Sequence, residues 1–149
     1  MRHTLLGIGL LAALLVAGPA FAQGKPLPPP ASSATPPTEI TVSMDGTKAV
    51  CSPSEIALPA ETNVTLNITS HATSPVIITM ADQFENGRVL HSDGDIVHNA
   101  SEKGYTIKQN GKGVLKLRTL AAGEHAYGCA SINNQKKPFT GKVVLSPPA

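Results

Sequence analysis

Beyond its first 22 residues, the chain places its most reactive side chains at Cys51 and Cys129, at His71, His91, His98 and His125, and at Met44 and Met80. Cys129 has three chemical readings: half of a disulfide, a thiolate ligand, or a small buried apolar residue. As a pair, Cys51 and Cys129 give the even count from which a single disulfide is the default in an exported chain. As thiolates they are soft donors suited to Cu(I), or to Cu(II) in a site completed by histidine or methionine, with Met80 a further donor.

The histidines show no strand-like i, i+2 spacing. His91 and His98 lie seven apart across a turn that holds Asp93 and Asp95, so a hairpin would bring them together as a surface site for a borderline or hard ion. His71 heads a loop between two good strand patterns and is expected at the same pole of the domain as the cysteines. His125 alternates with Tyr127 and Cys129, which makes either a core packing row or one side of a site. A glycine-rich phosphate loop, His-Glu-x-x-His, CxxC and a nucleophile-elbow serine are all missing from the sequence, so hydrolytic or cofactor-dependent catalysis has no motif behind it, and the chain reads as a non-enzyme.

The elements that must position these residues are short. Residues 1–22 read as a secretory signal: Arg2 and His3, then an apolar core, then Ala20-Phe21-Ala22 as a small-x-small cleavage site. Residues 23–39 are mostly proline and small polar residues and read as an extended tether. The foldable domain is then 40–146. Export would place it in a bacterial periplasm, with no membrane span in the mature form. Removing Arg2 from the 12 Lys and Arg leaves 11 against 10 Asp and Glu. A nearly neutral domain offers no basic field to nucleic acid or an anionic membrane.

Within the domain, Asn63-Val64-Thr65-Leu66-Asn67-Ile68-Thr69 alternates cleanly, with Val64, Leu66 and Ile68 on one face. Residues 40–44, 48–52, 55–58, 76–80, 105–107, 114–120, 125–129 and 142–145 read as further strands. Residues 81–86 suggest a helical turn, 88–90 a strand and 92–95 a turn. The stretch 81–110 is longer than an ordinary connection and is expected to be a decorated loop or small hairpin. Short strands separated by Gly, Pro, Asn and Asp, with no long helix, predict an all-β, antiparallel Greek-key β-sandwich.

The run Gly123 to Cys129 followed by Phe139 to Leu145 resembles the C-terminal end of the cupredoxins, where a strand ending in cysteine, a ligand loop and a final strand recur. The resemblance implies a cupredoxin-like domain. A blue-copper set would want histidine near Pro75-Val76, the cysteine, a second histidine soon after and a methionine before the last glycine. This chain offers Val76, Cys129, Asn133 or Asn134, and Phe139, so an ordinary type 1 centre is not expected. Cys51-Ser52-Pro53 with Cys129 is more similar to the cupredoxin-like domain of periplasmic iron-uptake proteins of the EfeO type. That likeness implies copper or iron handling by Cys51 and Cys129; the reading of the residues themselves adds His71 or Tyr127 nearby, with His91, His98, His125 and Met80 as secondary candidates. The other expectation is a metal-free, disulfide-closed sandwich whose 81–110 segment meets a periplasmic or membrane protein partner. No cofactor is certain on these grounds, and copper is the one the resemblance suggests.

Overall fold

The computed structural model describes residues 35–147. The expected signal, residues 1–22, and the part of the expected tether before residue 35 lie outside the described residues. Eleven strands follow one another: β1 (Thr38–Asp45), β2 (Lys48–Ser52), β3 (Glu55–Pro59), β4 (Asn63–Ser70), β5 (Val76–Thr79), β6 (Val89–Gly94), β7 (Ile96–Asn99), β8 (Gly104–Ile107), β9 (Lys112–Arg118), β10 (Gly123–Ser131) and β11 (Phe139–Ser146). They form two sheets, in the orders β2-β1-β4-β9-β6 and β3-β11-β10-β5-β8-β7. Most pairs are antiparallel, while β1 with β4 and β3 with β11 are parallel. The expected all-β sandwich is therefore the architecture found.

β4 shows why these residues make these strands. Val64, Leu66 and Ile68 are buried, at 3% exposure or less, and the Asn and Thr residues between them face outward. Leu117 and Leu115 of β9 sit opposite Val64 and Leu66, so one face of the pair is a continuous apolar row. That row packs on the inward residues of the other sheet, among them Val76, Ile78, Tyr127, Val143 and Leu145. Burying rows of this kind contributes roughly 1.5–3 kcal/mol per large side chain.

The long segment 81–110 is built rather than loose, and it differs from the sequence reading. It supplies an edge strand to each sheet, β6 to one and β7 to the other. The expected turn at 92–95 is mostly strand, with the change of direction at Gly94 and Asp95. Gly94 has φ +84°, a conformation L side chains rarely adopt. Asp95 fixes the crossing through its N–H to Lys112 O and through Lys108 N–H to its own O. The expected helical turn at 81–86 is instead a set of tight turns, with Ala81 at φ 39° and Asn86 at φ 55°. Buried Gln83 anchors them: its Nε2 donates to Arg118 O at 2.6 Å and its Oε1 accepts from Leu120 N–H at 2.9 Å. Phe84 packs edge-on against Tyr105, with centroids 5.1 Å apart.

Candidate functional site

β2 is a five-residue edge strand that leaves its sheet after Ser52, and β3 starts in the other sheet three residues later. Cys51 thus points inward from one sheet at the corner where the chain changes sheets. β10 lies near the middle of the second sheet, and its odd-numbered residues Tyr127, Cys129 and Ser131 face the core. The two rows meet, and Cys51 and Cys129 form a disulfide with a Cα–Cα distance of 6.4 Å. Both cysteines are 2% exposed. This bond ties the two sheets together across a sequence separation of 78.

The corner is held twice more. Tyr127 Oη donates to Pro53 O at 3.0 Å. Lys142 N–H donates to Ser54 O at 3.0 Å. The Tyr127 ring lies over Gly141, its register partner on β11, and meets Phe139 edge-on at 5.8 Å. A Cβ on Gly141 would come within 2.8 Å of Tyr127 Cδ1 and 2.9 Å of Cε1, with Ser54 O also in its way. Gly141→Ala is therefore expected to cost about 1–3 kcal/mol of stability, read as a lower urea midpoint at unchanged slope. Burial pushes the Tyr127 phenol up to about 12. Burial also raises the Tyr105 phenol above its ordinary value.

The other candidates do not converge on the cysteines. His71 is exposed; its N–H bonds to Val42 O, and Val42 pairs with Cys51, so it shares the pole without turning its ring into it. His91 and His98 belong to different sheets, so the hairpin that would have joined them does not form: His91 pairs with Lys116, and His98 stacks at 5.1 Å on Tyr105. His125 starts the Tyr127–Cys129 row but sits at its wet end, 3.4 Å from Ala121 O. Met80 is fully buried core. Among the described residues, no three of His, Cys, Asp and Glu gather where they could hold a metal ion.

The positions at which the resemblance would expect copper ligands are Val76, Cys129, Asn133 or Asn134, and Phe139. Val76 is 0% exposed and part of the apolar core, beside Ser131 on β10. Cys129 is spent on Cys51, Phe139 packs on Tyr127, and Asn134 Nδ2 is bonded to Thr47 Oγ1 at 3.1 Å. A disulfide sulfur is no thiolate and a valine no ligand, so these positions as they stand offer a copper ion neither thiolate nor imidazole. Sequence reasoning found the cysteine pair but missed the clamp around it. Tyr127 two residues ahead of Cys129, with a glycine in the last strand, was the available signal.

Among solved structures, the chain is similar to a multicopper oxidase, with a TM-score of 0.51 and 13% identity over 79% of this chain and 45% of that one. It is similar to the Cu-containing nitrite reductase NirK from Thermus scotoductus SA-01, with a TM-score of 0.50 and 8% identity over 74% of this chain and 30% of that one. It is also similar to Fet3p, a multicopper oxidase that functions in iron import, with a TM-score of 0.50 and 10% identity over 76% of this chain and 29% of that one. The chain thus spans less than half the length of each, and at these identities the likeness is one of fold. No protein-family model and no curated protein matches the chain. The sandwich is cupredoxin-like. No helix among the described residues is long and apolar enough to cross a membrane.

Proposed function

We propose that this chain is an exported binding module: a cupredoxin-like frame, closed by a disulfide, that recognises a protein partner and keeps no resident metal. The observation that carries the reading is the Cys51–Cys129 bond, which uses both sulfurs that metal handling would need. Support comes from the neighbouring positions, where Val76 is a core residue and Phe139 packs against the core, neither of them a donor. A buried disulfide also accords with an oxidising compartment such as the periplasm. The segment 81–110 supports a docking role because it is well anchored yet puts Leu90 and Val97 outward at 51% and 59% exposure.

Copper or iron handling, the reading the sequence put first, requires the pair as free thiolates. The two readings separate in a metal titration of the protein purified without reductant. The module reading expects no stoichiometric uptake of Cu(II) or Cu(I), followed by spectroscopy and metal analysis after desalting. One tightly held copper per chain in the oxidised protein would overturn it.

A further inference from the structure

The outer face of the second sheet has a groove with a defined shape and charge. Along β10, Ala126, Gly128 and Ala130 alternate outward between the inward Tyr127 and Cys129. Thr79 of β5 and Thr140 of β11 are the register partners of Gly128 and project to the same outer face. Two adjoining hollows, of about 420 Å³ and about 170 Å³, share Thr79, Glu102 and Pro138 and run along this floor. Pro138, Phe139 and Thr140 line one side, and Asp82, Glu102 and Lys103 line the other. The second wall comes from the segment 81–110, which gives that segment's unusual length a purpose.

The groove's charges are unbalanced. Lys103 Nζ is drawn to Glu85 at 3.8 Å. The Asp82 and Glu102 carboxylates have no ion-pair or hydrogen-bond partner among the described residues. Adjoining hollows over small side chains, with Pro138 on one side and two unpartnered carboxylates on the other, match an extended chain better than a globular surface. Alternate side chains of such a chain would pack toward Pro138 while a basic one met the carboxylates.

We infer that this groove binds an extended segment of a partner protein carrying lysine or arginine. The inference rests on the module reading and names the partner's chemistry. Its test uses nitrogen-labelled protein already shown to be oxidised and metal-free, titrated with the peptide Ac-Val-Lys-Pro-Lys-Val-NH2 and with its counterpart bearing Glu for both Lys. The lysine peptide is expected to shift the amides of Thr79, Ala126, Gly128 and Thr140, and the glutamate peptide to leave them in place. Asp82→Asn with Glu102→Gln should weaken binding on the order of tenfold. Ala126→Trp, which fills the floor and leaves the charges, should abolish it. No shift at those amides, or equal shifts from both peptides, overturns the inference. A protein that takes up copper fails the module reading whatever the peptide does, whereas an oxidised, metal-free protein that ignores the lysine peptide fails this inference alone.

Discussion

Replacing both cysteines, Cys51→Ser with Cys129→Ser, is expected to lower unfolding stability by about 4–5 kcal/mol, the size of effect that chain-entropy models give for closing a loop this long. The loop is set by the sequence separation of 78, and the bond joins an edge strand of one sheet to an inner strand of the other. Without it, β2 keeps its pairing to β1, but the corner at residues 51–54 loses its covalent tie to β10. Urea unfolding of oxidised, reduced and doubly substituted protein measures this directly. The reduced and substituted forms should fall together, well below the oxidised form. Equal midpoints for all three would show that the bond contributes nothing, and restoration of the reduced form by added copper would show that the pair is a metal site.

The second large effect is at Tyr127. Tyr127→Ala empties the space over Gly141 and beside Phe139 and removes the phenol that holds Pro53 O, so a loss of about 3–5 kcal/mol is expected. Tyr127→Phe keeps the packing and gives up one hydrogen bond, for about 1 kcal/mol. The ratio of the two is the informative quantity, because a site tyrosine would show its cost in binding instead. The same ring makes a pH signature. Its folded value, about 12, lies above the ordinary value of 10.0. The neutral phenol is thus favoured by folding, and its contribution is fully present below pH 10 and is lost as pH rises toward 12. The chain has two tyrosines and no tryptophan, and burial raises both phenols, so tyrosinate absorbance reports the pair. Tyr127→Phe should remove the component that titrates at about 12 and leave that of Tyr105.

Much of the sandwich was legible because alternation reports burial where a strand has one wet face. β4 is the clearest case, and β5, with Val76, Ile77 and Ile78 all buried, reads as the unbroken apolar run of an inner strand. β6 was not legible as a whole strand. Its residues from Leu90 to Gly94 are all exposed, so this edge strand has no apolar face to give a period. β7 buries only Ile96 at its start. The separation of His91 from His98 followed from that, since the switch of sheets at Asp95 depends on backbone bonds to Lys108 and Lys112 that no local pattern announces.

The site was half legible. An even pair of cysteines in a chain that begins like an exported one made a disulfide the default, and the sequence could not eliminate ligation because the meeting of Cys51 with Cys129 depends on the corner at Pro53. The Tyr127 clamp depends on the same corner, and on the register that sets Gly141 beneath the ring. The outward row Ala126, Gly128, Ala130 was invisible for another reason: small residues in a strand signal neither burial nor exposure until the walls beside them are known.

The most direct test of the account is the intact mass of the native protein, isolated without reductant and sprayed from a solution that has been offered copper. The expected species is the polypeptide two hydrogens lighter than its fully reduced form, carrying no metal. A species at the reduced mass that retains one copper ion would contradict the account, because Cys51 and Cys129 would then be ligands rather than partners in a bond.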